Sequence, residues 1–235
     1  MAAPRLQPDI CGTLLQSLET ARARTDSLFL LVRPEALTRR PIPERHRLIF
    51  YLGHLEAFDW NLIARGALDL PSFHPGFDRL FAFGIDPVSG NLPTDQPADW
   101  PALGEIQRYR EAVRQKLARS LAEVLGRTDA PQPIADGTLL HVAIEHRLMH
   151  AETIAYLLHE LSYEDKYPQP AANTWDSEAV PSSISIPAGT ATLGRPRASA
   201  ENGATQHTAG AFGWDNEFEE MRISVPAFGI DAYPA

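Results

Sequence analysis

The feature that most restricts this chain is a run in which Ile106, Tyr109, Val113, Leu117, Leu121 and Leu125 follow one another at steps of three or four residues. That spacing lines apolar side chains along one side of an α-helix and does not fit one face of a strand. Arg110, Glu111, Arg114, Lys116, Arg119 and Glu123 fall between them as a solvated side. A long helix with one apolar stripe buries it against other helices, and the chain supplies them. Leu14, Leu18, Ala21, Leu28 and Val32 mark a first helix from about Asp9 to Val32, stopped by Pro34. A second opens near Pro43 and runs to about Leu68, with Leu48, Tyr51, Leu52, Leu55, Phe58 and Leu62 on its apolar side. The striped helix is the third, with Asp99 as N-cap, Pro101 in its first turn and Gly126 as C-cap. The fourth opens at Asp136 or Thr138 and fades near Glu164. Between the second and third, Pro71, Pro75, Pro87, Pro93 and Pro97 exclude a regular helix, while Phe73, Phe77, Leu80, Phe81, Phe83 and Ile85 predict an ordered loop over one end of the bundle.

The fourth helix carries the chemistry. In Ile144-Glu145-His146-Arg147-Leu148-Met149-His150-Ala151-Glu152, two histidines stand four residues apart, one turn apart on one face. That is how a single helix offers two ligands to one metal ion. The surrounding Leu148, Met149, Ile154, Ala155, Leu157 and Leu158 make the helix apolar, and buried imidazoles need partners for both ring nitrogens. The best third ligand is His54, in Tyr51-Leu52-Gly53-His54-Leu55-Glu56-Ala57-Phe58 of the second helix. Three neutral imidazoles with open positions suit a catalytic iron or zinc. Glu145 and Glu152 flank the pair, either as carboxylates supporting the ligands or as solvated helix charges. His46, His74, His141, His159 and His207 lack a partner at comparable spacing, and Trp60 and Trp100 fit the bundle ends.

The net charge of −9 argues against nucleic-acid binding. Cys11 is the single cysteine, which rules out an internal disulfide and fits a cytoplasmic protein. No apolar run approaches the roughly 20 residues of a membrane span, and the N-terminus has no signal-peptide core. After Asp165 the composition shifts. Residues 166–183 read as a Pro/Ser/Ala-rich linker, Ser183 to Gly194 as alternating short strands, and Met221 to Asp231 as another strand pair. Strands so short do not bury a core of their own, so this tail is expected to be the opening of a larger β-rich domain.

The His-x3-His-x-Glu run at His146, His150 and Glu152, together with Leu-Gly-His-Leu-Glu-Ala-Phe around His54, resembles the DinB-like domain of the non-haem iron sulfoxide synthases, the enzymes of ergothioneine, ovothiol and selenoneine biosynthesis. Ile186-Pro-Ala-Gly-Thr, Phe212-Gly-Trp-Asp-Asn-Glu-Phe and Val225-Pro-Ala-Phe-Gly-Ile-Asp-Ala-Tyr-Pro resemble the opening of their formylglycine-generating-enzyme-like domain. The resemblance implies a mainly α protein: a DinB-like four-helix bundle over residues 1–165, the linker 166–183, and an incomplete β-rich, sulfatase-modifying-factor-like segment over 184–235. It implies iron(II) held by His54, His146 and His150, with Glu152 supporting them. It implies an oxidoreductase that uses oxygen to join a thiol or selenol donor to the imidazole carbon of hercynine or histidine. Glu219 and Met221 depart from the family's usual proline and histidine. In the family the second domain supplies the catalytic tyrosine and much of the imidazole pocket, so no residue here takes those roles. As a complete product the chain is expected to be inactive or nearly so.

The stretch Phe81 to Gln107 holds no Lys or Arg, which leans away from a highly anionic donor such as γ-glutamylcysteine. The run Phe81-Ala-Phe-Gly-Ile-Asp-Pro, with Pro93-Thr-Asp-Gln-Pro, resembles the selenoneine branch, whose donor is a selenosugar. Arg65, Arg79 and Arg147 are the basic groups able to reverse that, unless they are surface charges. Two other functions remain open on the sequence. One is a DinB-like metal-dependent thiol transferase, which needs the bundle and histidines but no β-rich tail. The other is a non-catalytic metal-binding remnant with apolar surface around Phe212, Trp214, Phe218 and Phe228.

Overall fold

The computed structural model describes residues 8–82, 93–125, 127, 129–169, 182–196 and 212–232. The chain divides into two units, Met1–Gln169 and Pro170–Ala235.

The first unit is the expected bundle of four long helices. These are α1 (Pro8–Phe29), α2 (Leu48–Asp59) with its continuation Trp60–Arg65, α4 (Leu103–Leu125) and α6 (Thr138–Glu160), joined through the short helices α3 (Pro75–Leu80) and α5 (Gln132–Ala135). The α4 stripe is inside as its period requires, with Ile106, Tyr109, Val113, Leu117 and Leu121 all buried. Helix α1 packs on α6, and α2 packs against both α4 and α6. Helix α2 is therefore central, and of its residues only Phe58 is not fully buried. Among the described residues, no helix is long and apolar enough to cross a membrane.

Several boundaries differ from expectation, each for a local reason. Helix α1 stops at Phe29 because the next residues pair with the chain after α6: Tyr167 N donates to Leu31 O at 2.8 Å and Arg33 N to Asp165 O at 3.0 Å. Helix α2 starts at Leu48 rather than Pro43, because Arg47 is held extended while its guanidinium binds Thr38 O and Asp95. Beyond Asp59 the helix widens to a π-helix, with Gly66 N bonding Asn61 O and Leu68 N bonding Ile63 O, each five residues back. Asp99 does not cap α4. It accepts Gln96 N at 2.7 Å in a separate 3-10 turn, Pro97–Asp99, and α4 begins four residues later. Asp136 and Thr138 both take part at the start of α6, where Asp136 Oδ1 accepts Thr138 N at 3.0 Å beside a left-handed Gly137. Phe83, Ile85 and Gly126 lie outside the described residues.

In the second unit, β1 (Ser183–Ile186) pairs antiparallel with β4 (Phe228–Asp231), and β2 (Gly189–Leu193) with β3 (Met221–Val225). The partners come from opposite segments, so Met221 to Asp231 is not a strand pair by itself. Ile186 faces Phe228 and Gly189 faces Val225, which leaves Pro187-Ala188 opposite Pro226-Ala227. A proline on each side removes a donor at the same level, which explains why one ribbon becomes two short ladders. Ile184, Leu193, Met221, Phe228 and Ile230 remain exposed in this unit.

Candidate metal centre

Helix α2 brings His54, and α6 brings His146 and His150, to one point. His54 Nε2 lies 3.2 Å from His146 Nε2 and 3.1 Å from His150 Nε2. His54 and His150 are buried and His146 is half-buried. The convergence follows from the sequence: the His-x3-His spacing presents two rings on one side of α6, and that side packs against the central helix. Ring packing fixes the angles. Phe58 stacks on His146 at 3.5 Å between centroids, Phe50 stacks on His54 at 4.8 Å, and the Tyr51 ring lies 5.5 Å from His150.

The proton on His54 is assigned by its surroundings. Nδ1 lies 2.7 Å from Phe81 O, a carbonyl that only accepts, so Nδ1 carries the hydrogen and Nε2 a lone pair. Burial lowers the pKa of His54 to about 4, against the opposing hydrogen bond to Phe81 O, lowers that of His150 to about 3, and drives His146 down as well, with nearby cations and the neighbouring imidazoles adding to the effect at His146 and His150. All three imidazoles are neutral at physiological pH, the form that ligates metal. A metal at the imidazole distance of about 2.0–2.1 Å, with ligand angles of about 90–109°, separates neighbouring nitrogens by about 2.8–3.4 Å. The observed 3.1 and 3.2 Å fall inside that window, so the three histidines fit a mononuclear metal ion.

Phe81 reaches His54 by way of α3. Its ring is fully buried among Phe50, Phe77, Trp100 and Tyr109, and it lies directly against Gly53 of α2. The α3 segment is in turn anchored by Asp78, whose buried carboxylate accepts Tyr109 Oη at 2.7 Å and the Ser72 hydroxyl. Further along, Asp95 gathers Arg40, Arg47 and Trp100 Nε1.

Sequence reasoning missed the group beside the histidines. Arg147 is not a surface charge but one of the most deeply buried side chains in the protein. It donates to Leu55 O at 3.0 Å, to Glu56 Oε2 at 3.0 Å and Oε1 at 3.2 Å, and to Asp59 Oδ2 at 2.7 Å. Glu56 also accepts Arg114 at 2.6 Å, and Asp59 accepts Arg22 at 3.2 Å, so guanidiniums from α1, α4 and α6 meet on α2. Burial pushes the Glu56 carboxyl up, but Arg147 and Arg114 outweigh it and hold it down to about 2. A signal was present: Arg147 continues the Ala143, His150, Ile154 stripe, and Glu56 and Asp59 interrupt an otherwise apolar run.

Glu152 and Glu145 are both exposed. Glu152 lies two residues beyond His150, about 200° around the helix, which turns it from the ligand face. The acceptor that orients one of the three rings is the Phe81 carbonyl instead. Arg65 and Arg79 are exposed and His141 is half-buried outside the cluster.

The profile of the DinB superfamily matches residues 17–154, more than half of the chain and all three histidines. The chain belongs to that superfamily. It is also 32% identical over 216 residues to Ergothioneine biosynthesis protein 1 of Neurospora crassa. That match takes in 85% of this chain and 23% of the relative, so the chain spans about a quarter of the length of the curated relative it resembles.

Proposed function

We propose that this member of the DinB superfamily holds the iron(II) of an ergothioneine-type biosynthetic reaction, in which oxygen drives attachment of sulfur or selenium to the imidazole carbon of hercynine or histidine. The observation that carries the reading is the approach of His54 Nε2 to His146 and His150 Nε2 at 3.2 and 3.1 Å. Likeness to a relative named for ergothioneine biosynthesis supports the substrate class. Iron(II), when bound, supplies the oxygen and one-electron chemistry that side chains lack. The chain's own residues do the positioning. Phe81 O keeps the His54 proton on Nδ1, so that Nε2 remains a donor. Phe50 and Phe58 cover ring faces of His54 and His146 and exclude water there.

The donor is read from the cations. Arg147 is closed by Glu56 and Asp59, and Arg40 and Arg47 are engaged on Asp95. These guanidiniums are committed within the protein, which leans toward a donor of low negative charge, a selenosugar, over γ-glutamylcysteine; Arg45, whose charge acts on His150, and the exposed Arg65 and Arg79 are the cations left to meet a donor's carboxylates.

Metal preference alone does not test the reading, because a nitrogen-donor site generally binds zinc more tightly than iron(II). The test has two parts. Anaerobic loading of this chain is expected to give one iron per chain, lost in His54→Ala, His146→Ala and His150→Ala. The same substitutions in a full-length relative are expected to abolish oxygen uptake that requires both an imidazole substrate and a thiol or selenol. Zinc-dependent thiol transfer with no oxygen uptake would overturn the proposal in favour of a thiol transferase.

A further inference from the structure

Two sets of contacts cross from α6 to α2. One is the imidazole cluster. The other is the fork of Arg147, the residue after His146, onto Leu55 O, Glu56 and Asp59, which lie one, two and five residues beyond His54. The second set is an expensive one. Arg147, Glu56 and Asp59 are all completely buried, and Arg147 Nε and Asp59 Oδ1 find no hydrogen-bond partner among the described residues. A wholly buried ion pair of this kind generally gains little stability over an apolar pair of the same volume, because desolvation offsets the attraction. What it does supply is geometry. A planar guanidinium that meets a backbone carbonyl and two carboxylates at 2.7–3.2 Å accepts one placement of its helix. Apolar packing between the same helices tolerates sub-ångström slides that a three-histidine site does not.

We infer that Arg147 is a positioning residue for the metal centre: its fork onto Leu55 O, Glu56 and Asp59 sets the register of α6 on α2, and so holds His146 and His150 at bonding separation from His54. The inference rests on the histidines binding metal as proposed above. It concerns no direct contact between Arg147 and the metal. It acts through the backbone on both sides, since the fork grips a carbonyl adjacent to His54 from a residue adjacent to His146.

The test uses the whole chain and cobalt(II) alone as the probe, with affinity from competition titration, ligand-field bands from visible absorption, and thermal stability followed separately. Leu117→Ala, in the buried stripe of α4, is the control for destabilisation as such. Arg147→Met is expected to weaken cobalt binding by about 10–100-fold and to alter the visible bands, while Leu117→Ala keeps wild-type affinity and bands. Arg147→Lys, which keeps the charge but not the fork, is expected to fall between. Cobalt affinity within about twofold of wild type in Arg147→Met, with unchanged bands, would overturn the positioning role and leave the metal reading intact. If Arg147→Met does not fold, the same criterion applies to Arg147→Lys. Failure of the wild-type chain to bind cobalt would remove the metal reading, and this inference with it.

Discussion

Gly53→Ala separates local propensity from tertiary constraint at the metal centre. Gly53 lies inside α2, where alanine is better than glycine by about 0.5–1 kcal/mol on backbone grounds. Propensity alone therefore raises stability. A Cβ at Gly53, however, falls 2.5 Å from Cδ2 and Cε1 of the Phe81 ring, well inside van der Waals contact. Phe81 has no room to retreat, because it is fully buried against Phe50, Phe77, Trp100 and Tyr109. Overpacking of this sort costs about 1–3 kcal/mol. If the ring moves, its carbonyl leaves His54 Nδ1, and a buried donor without its partner costs about 1–3 kcal/mol more. Set against the propensity gain, the net effect is a loss of about 1–5 kcal/mol. At about 2–4 °C per kcal/mol for a domain of this size, the metal-free Tm falls by about 2–20 °C. Metal affinity falls too, since His54 loses the acceptor that sets its tautomer. Thermal unfolding by circular dichroism and cobalt titration measure the two effects. Phe81→Leu opens space, so the double variant Gly53→Ala/Phe81→Leu is expected to lose less than the sum of the singles. A Tm that rises in Gly53→Ala, with cobalt affinity unchanged, would refute the reasoning, because propensity would then be the only term acting.

The metal-free chain should lose stability on acidification earlier than its carboxylates require. With the pKa lowered to about 4 for His54 and about 3 for His150, the unfolded chain binds protons at these sites from about pH 6.5 while the folded chain does not. Stability is thus complete above about pH 6.5 and declines as pH falls toward 4. A triple His→Ala variant at positions 54, 146 and 150 should show a flatter Tm between pH 6.5 and about 4.5, and equal slopes would refute the assignment. Tyr109→Phe removes a donor from buried Asp78 and is expected to cost about 1–3 kcal/mol, read as a lower denaturation midpoint at unchanged m-value.

The parts of this protein that repeat along a helix were legible in its sequence. The stripe from Ile106 to Leu125, the His146/His150 spacing and the apolar run around His54 each state their own face, and the bundle follows from burying those faces. What was not legible depends on non-local pairing. Arg147 reads as a donor-binding cation or a surface charge, because arginine is seldom buried, and only the carboxylates on α2 make its burial possible. Glu152 reads as support for the ligands because it is near them in sequence, yet its angle on the helix sends it to solvent. The carbonyl that supports His54 comes from Phe81, and a backbone oxygen leaves no mark on residue type. The π-helical turn after Asp59 likewise has no local signature, and the crossed strand pairing of the tail is set by register rather than by alternation.

These failures share a cause that itself makes a prediction. Helix α2 is buried nearly all round, so each polar group on it needs an answer from a different neighbour. His54 is answered by Phe81 and α6, Glu56 by Arg147 and Arg114, and Asp59 by Arg147 and Arg22. If the Arg147–Glu56 pair serves placement rather than stability, removing both charges together should separate the two properties. In Arg147→Met/Glu56→Leu, Arg114 keeps Asp26 at 2.7 Å and Asp59 keeps Arg22 at 3.2 Å, so neither remaining ion is left alone. Burying an apolar pair there in place of ions is expected to leave the metal-free Tm equal to or above that of wild type, because the desolvation cost of the Arg147–Glu56 pair is removed. Arg147→Met alone strands Glu56 against one fewer cation and should lose about 3–5 kcal/mol. Cobalt affinity should nevertheless be low in both, since neither keeps the fork. A double variant with Tm as low as the single and cobalt affinity restored would mean that the pair stabilises the bundle and leaves the histidines to find their own geometry.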